Sequence, residues 1–272
     1  MAPPQACWRD CGPDVGVSVS ANLHRPSGAP APAQPALNPP TLNLVFDLGA
    51  VLFTWRPVEL VARYFPQQAA TPQQAGQLAH AVFGHADWHQ FDRGTLSMAA
   101  VVERTADRLG LQHTALAALV QGIGELLVPM VDTVALLAQL HALRTAPAPG
   151  DSVGAPGASL PPPGGWGAGG RLYYLSNMPI PYARTLERLH PFLAWFDGGI
   201  FSGDVQHIKP EPAIYQLLQT RYALEGARTV FIDDLPGNVQ AARALGWHGI
   251  AFTSAAQLRS ALWAENFSET GL

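Results

Sequence analysis

The chain has 272 residues, 48% of them hydrophobic and only 13% charged, with a formal net charge of −4. The net charge by itself rules out little, but it argues against an electrostatic grip on nucleic acid or anionic lipid, because no Lys/Arg-dense stretch is present to neutralise phosphates. No run approaches the ~18–20 apolar residues of a membrane span, so neither nucleic acid nor a membrane is expected as a partner.

Residues 1–40 hold nine prolines and three glycines, and residues 1–41 read as a disordered leader. The two cysteines, Cys7 and Cys11, fall there and read as loop thiols. Pro3, Pro4, Asp10, Pro13 and Asp14 break the leader into pieces too short for a signal-peptide core, so the cytoplasm is the default location. The run Leu42–Asp47 is apolar without alternation and ends in an acid, which suits a strand buried on both faces of a parallel sheet.

Val58–Phe65, Gln74–Phe83, Ser97–Leu109 and Thr114–Leu127 then carry apolar residues at helical spacing and form a helical cap over 58–130. Ser97 is an expected N-cap, although Ala100 leaves its capping box incomplete. A fifth helix, Thr133–Leu143, returns the chain to the sheet. Residues 145–170 hold six prolines and eight glycines, offer almost nothing to bury except Trp166, and read as a disordered surface insertion.

Four more short apolar runs follow: Leu172–Ser176, Gly199–Ser202, Thr229–Asp234 and Gly249–Thr253. Helical patterns at Pro181–Leu189, Pro212–Tyr222 and Asn238–Leu245 separate them. This alternation predicts βαβ units and an α/β fold. The core is expected over 42–57 and 131–262, as an open, parallel, Rossmann-like sheet with helices on both faces. The small helical cap is inserted after its first strand, and 263–272 is a tail.

In such a sheet ligands bind outside the carboxyl ends of the strands. Asp47, Ser176-Asn177 and Asp233-Asp234 stand at three of those ends, and Lys209 lies in the loop after another. Taken singly, each acid is as readily a helix cap or turn residue, Asp234 above all. The ordered set is harder to explain that way. Clustered acids repel one another unless a cation is present, and hard oxygen ligands suit Mg2+. A carboxylate beside that ion can attack phosphorus, while a lysine and a hydroxyl orient the non-bridging oxygens.

The order FDLG(A)VL, LSN, K-P-E-P-x-I-Y and FIDDLPGNVQAARALGW resembles the haloacid dehalogenase-like hydrolase superfamily over residues 43–255. It is most similar to the branch with a small helical cap, which includes sugar-phosphate phosphatases opening with FDLGNV. The resemblance implies a Mg2+-dependent phosphatase of small phosphorylated metabolites that works through an aspartyl-phosphate. Asp47 would be the nucleophile, Ser176 with Asn177 would bind the phosphoryl oxygens, and Lys209 would stabilise the aspartate and the transferring group. Asp47, the Gly49 carbonyl, Asp233 and Asp234 would hold Mg2+.

Two departures stand out. Gly49 occupies the position where such phosphatases usually carry a general acid, and Ala50 replaces the usual Asn. A proton donor is typically worth ~10²–10⁴-fold, so slow turnover or a substitute acid is expected. In the cap, Trp88-His89-Gln90-Phe91-Asp92-Arg93-Gly94 is similar to segments of related caps. Arg93 is a candidate contact to a substrate hydroxyl or second phosphate, with a structural bridge to Asp92 or a neighbouring helix preferred. Arg56 is a second candidate substrate contact, and His89 reads as a surface histidine.

Two other functions compete: a catalytically weakened binding or regulatory protein, motivated by Gly49, Ala50 and the low-complexity insertion, and a metal-independent haloacid dehalogenase. The latter usually carries Ser-Ser-Asn-like residues where this chain has Asp233-Asp234, so the acid pair favours the metal-dependent branch.

Overall fold

The computed structural model describes residues 42–145, 166 and 169–264. The expected leader with Cys7 and Cys11, most of the 145–170 insertion, and residues 265–272 lie outside these. After β1 (Asn43–Phe46) come α1 (Pro57–Tyr64), α2 (Pro72–Phe83), α3 (Ala86–Asp92), α4 (Met98–Leu109), α5 (His113–Leu126) and α6 (Val131–Thr145). The alternating part follows as β2 (Arg171–Ser176), α7 (Ile180–Leu189), β3 (Gly198–Phe201), α8 (Ser202–Val205) and α9 (Pro212–Tyr222). It closes with β4 (Thr229–Asp233), α10 (Pro236–Ala244), β5 (His248–Ala251) and α11 (Ala255–Ala264).

All the strand pairs are parallel, in the order β3-β2-β1-β4-β5. The apolar runs are continuous because both faces are covered. Leu44, Phe46, Val230 and Ile232 pack with α6, α7 and α11 through Leu137, Leu140, Ala183, Leu186 and Leu258. Val45 and Phe231, alternating with them, pack with Ile214, Tyr215 and Leu218 of α9 and Ala242 of α10. Helices thus cover both faces, as the alternation predicted.

The helix ends differ from expectation where side chains, not periodicity, decide them. Helix α2 starts at Pro72, two residues before the apolar pattern suggests. Thr71 Oγ1 accepts from the Gln74 amide at 3.2 Å, and Gln74 Oε1 accepts from the Thr71 amide at 3.1 Å, which makes a complete capping box. Ser97 caps α4 as expected, accepting from the Ala100 amide at 3.2 Å. Helices α3, α8 and α11 were not anticipated. The first has seven residues and the second four, too short for a 3.6-residue period to register. Helix α11 buries only Leu258 and Leu262 and takes in residues 263 and 264, which the sequence assigned to a tail.

Trp166 is 3% exposed in the main core, and its indole N–H donates to the Leu140 carbonyl at 3.1 Å. The insertion therefore returns at least this residue to the core, through α6. A second local feature follows β1: Ala50 has φ +55°, a left-handed conformation that costs a residue with a Cβ about 1–2 kcal/mol and that Asn tolerates better. Ala50→Asn is expected to raise unfolding stability by about 0.5–1 kcal/mol, read by urea denaturation. An unchanged midpoint would show that the turn relaxes without strain.

Candidate active site

Register builds the site. Phe46 of β1 lies opposite Tyr174 of β2 and Ile232 of β4. The Asp47 amide continues the ladder, donating to the Ile232 carbonyl at 2.8 Å, so Asp47 stands abreast of Asp233 with Ser176 on its other side. Strand order reverses between β1 and β4, and this switch point is where open α/β sheets leave a crevice.

Lys209 arrives from the loop before α9 and joins the acids. Its Nζ lies 2.9 Å from Asp47 Oδ1 and 2.6 Å from Asp233 Oδ2, and its side chain is 1% exposed. Burial alone would lower the ammonium's pKa, but Asp47 and Asp233 outweigh it and raise it, so Lys209 stays charged. Burial likewise pushes the Asp47 carboxyl up to about 7, with Lys209 opposing and Asp233 adding to the rise. Burial and then Asp233 raise Asp234 too.

The loop is set by Asn177, whose Oδ1 accepts from the Lys209 amide at 2.7 Å and whose Nδ2 donates to the Lys209 carbonyl at 3.0 Å. Asn177 lines the cavity, but both ends of its amide are spent on the lysine backbone. Ser176 is 1% exposed, beside Asp47.

Ligand atoms of Asp47, Asp233 and Asp234 lie within 4.8 Å of one another. Three acids with one lysine between them leave excess negative charge, which suits a hard divalent cation. The acids are not equivalent. Asp233 accepts from Lys209, from the Leu235 amide at 2.8 Å, and from Asn238 Nδ2 at 3.0 and 3.1 Å. These contacts fill its roughly four lone-pair sites. Asp47 and Asp234 keep free lone pairs. Among the described residues nothing donates to the Gly49 carbonyl, and Gly49 lines the same cavity.

That cavity, about 430 Å³, separates core from cap. Asp47, Ser176, Lys209 and Asp234 form its floor, and Trp55, Phe83, Trp88, Ile123, Leu127 and Tyr182 wall it. Two candidate contacts have partners of their own. Arg56 is exposed, pairs with Glu59 at 3.3 Å and borders an adjoining groove that shares Trp55, Ile123 and Leu127 with the cavity. Arg93 forms an ion pair with Glu211 and donates to the Gln206 carbonyl at 3.1 Å, so it makes the structural bridge preferred from the sequence, to the N-cap residue of α9 rather than to Asp92. Gly94 beside it has φ +78°, and a Cβ there would come within 2.5 Å of the Gly203 carbonyl. The Arg-Gly pair is thus a docking device. His89 is exposed, as expected, yet lies on the cavity lining.

Sequence reasoning missed three residues. Asn238 holds Asp233, Glu211 receives Arg93, and Asp92 lines the cavity from the cap. Asn238 was legible in principle, five residues after Asp233 at the start of the following helix. The other two depend on how the cap docks.

The sequence profile of the haloacid dehalogenase-like hydrolases matches residues 45–246. The chain belongs to this family. Among its relatives, the sesquiterpene phosphatase AstK of Aspergillus oryzae is 25% identical over 210 residues, 77% of this chain and 88% of that protein. A HAD family enzyme of Bacteroides thetaiotaomicron superposes with a TM-score of 0.57 at 19% identity, covering 82% of this chain and 98% of that one. The same enzyme in complex with magnesium and inorganic phosphate gives 0.54 at 18% identity over 78% and 93% of the two chains. The L-2-haloacid dehalogenase of Xanthobacter autotrophicus, with chloropropionic acid covalently bound, gives 0.53 at 18% identity over 84% and 85%. At these identities the superpositions speak to the fold. This haloacid dehalogenase-like hydrolase shares it with enzymes of different chemistry, so its reaction must be argued from its own site.

Proposed function

We propose that this hydrolase is a Mg2+-dependent phosphatase whose substrate is the phosphoric monoester of a small, largely apolar alcohol. The observation that carries the reading is the pair Asp47 and Lys209, with Asp234, on the floor of a cavity whose walls are mainly aromatic and aliphatic, and Asp233 buried behind them on Lys209. Asp47 attacks phosphorus and becomes the aspartyl-phosphate. Lys209 favours the anionic form of that carboxylate against burial and meets the phosphoryl charge, the Ser176 hydroxyl donates to a non-bridging oxygen, and Asn177 holds the lysine loop in place. Mg2+, held by Asp47, Asp234 and the Gly49 carbonyl with Asp233 bracing from behind, would supply the positive charge that lets two anions approach each other.

The apolar wall shifts the substrate class away from the sugar-phosphate expectation. A sugar needs several hydroxyl partners, because burying them unpaired costs about 1–3 kcal/mol each. The cap offers mainly rings and aliphatic chains here, and AstK, the sesquiterpene phosphatase, points the same way. Without Mg2+ a haloacid carboxylate would instead face Asp47 and Asp234 on the floor, which disfavours the dehalogenase reading.

Phosphate release from p-nitrophenyl phosphate, farnesyl phosphate and glucose 1-phosphate tests the proposal. Hydrolysis should vanish in EDTA, return with Mg2+, and favour farnesyl over glucosyl phosphate by at least tenfold in kcat/KM. Absence of Mg2+-dependent release from every ester would refute the phosphatase. A preference for the sugar ester would refute the apolar substrate class.

A further inference from the structure

We propose that Asp92, from the cap, is the catalytic proton donor and acceptor that the core lacks at Gly49. The inference rests on the phosphatase reading and adds a residue to it.

Three contacts between distant parts of the chain hold the end of α3 over the site. Ser202 Oγ donates to the Asp92 carbonyl at 2.5 Å while accepting from the Met178 amide at 2.8 Å. Arg93 pairs with Glu211, two residues from Lys209, and Gly94 lies against the backbone of Gly203. Asp92 lines the cavity with Asp47 and Lys209, and its carboxyl is near enough to feel the Lys209 charge. Among the described residues its carboxyl has no hydrogen-bond partner and no ion pair, although it is half-buried. A carboxylate placed so, without donors, is costly. Burial holds its pKa well above the usual carboxylate range, with only Lys209 opposing. The shift is in the direction a proton donor needs.

Other titratable groups of the lining fit the role less well. Tyr182 donates its hydroxyl proton to the Val120 carbonyl at 2.7 Å. Asp234 belongs to the acid cluster on the floor, and His89 is exposed.

In the first half-reaction Asp47 forms a bond to phosphorus, the P–O bond to the alcohol breaks, and the Asp92 proton passes to the departing oxygen. The products are the free alcohol, the aspartyl-phosphate and the Asp92 carboxylate. In the second, Asp92 takes a proton from water as the water oxygen attacks phosphorus and the Asp47–phosphorus bond breaks. This releases inorganic phosphate and restores both starting protonation states.

The test compares n-octyl phosphate, whose alkoxide leaves poorly, with p-nitrophenyl phosphate, whose phenolate needs little protonation. Asp92→Asn should lower kcat/KM for the octyl ester on the order of 10²-fold or more and change that for the aryl ester less than tenfold. With the aryl ester it should also give a stoichiometric burst of p-nitrophenol followed by slow turnover, because water activation is lost. The Gly49→Asp/Asp92→Asn double variant should recover part of the octyl rate, since a Cβ at Gly49 meets nothing within 4 Å. Equal losses on both esters, an unchanged octyl rate, or the leaving-group effect appearing in His89→Gln instead would overturn the proposal alone. A wild type inactive on both esters would overturn the phosphatase reading and this proposal with it.

Discussion

Asp47→Asn should reduce Mg2+-dependent phosphate release on the order of 10⁴–10⁶-fold, as removal of a nucleophile from a coupled catalytic set does, while the protein stays folded. The amide keeps the shape of the carboxyl but cannot attack phosphorus. Stability should change little for two opposing reasons. Lys209 loses one partner but keeps Asp233 at 2.6 Å, and a buried carboxyl that burial pushes up to about 7 is removed. Steady-state phosphate release and a thermal melt check both halves. A variant retaining a tenth of the activity would exclude Asp47 as nucleophile, and an unfolded one would show that its charge is structural.

Lys209→Met should be the most damaging change to stability. It leaves Asp47 and Asp233 facing each other in the core without their shared cation. Removing one member of a buried ion pair costs about 3–5 kcal/mol, because the remaining charge is uncompensated. The lysine is 1% exposed on its side chain and touches both acids, so solvent offers little relief. Mg2+ should recover part of the loss, since it neutralises the same carboxylates and binding stabilises the folded state by mass action. Urea denaturation in EDTA and in excess Mg2+ measures the effect. A loss below about 1 kcal/mol in EDTA would mean that the pair of acids protonates or rearranges at no cost.

Much of the site was legible before the fold was known. Asp47, Ser176 and Asp233 follow directly on apolar runs, and a parallel strand delivers the residue at its carboxyl end to one edge of the sheet whatever the loops do. Lys209 was legible as the lone cation of a loop between two such runs. The partners of Arg56 and Arg93 were not legible for a common reason: a charged side chain in a cap has many partners within reach, and chain order does not rank them. Arg93 found Glu211, over a hundred residues away, and Arg56 found Glu59, three residues on. The sugar-like substrate expectation came from resemblance alone, and no periodicity in the cap separates a ring that faces a ligand from one that fills a core.

The amino-acid sequence by itself determined the sheet, the cap's place in the chain and the acid–lysine set, because strand burial and strand-end chemistry are local and ordered along the chain. Tertiary structure alone decided what faces that set. The Ser202–Asp92 and Arg93–Glu211 contacts span 110 and 118 residues, and contacts of this long range bring a cap carboxyl and an apolar wall over Asp47. The position opposite Gly49's missing acid is thus filled from the cap, by packing that no local pattern encodes.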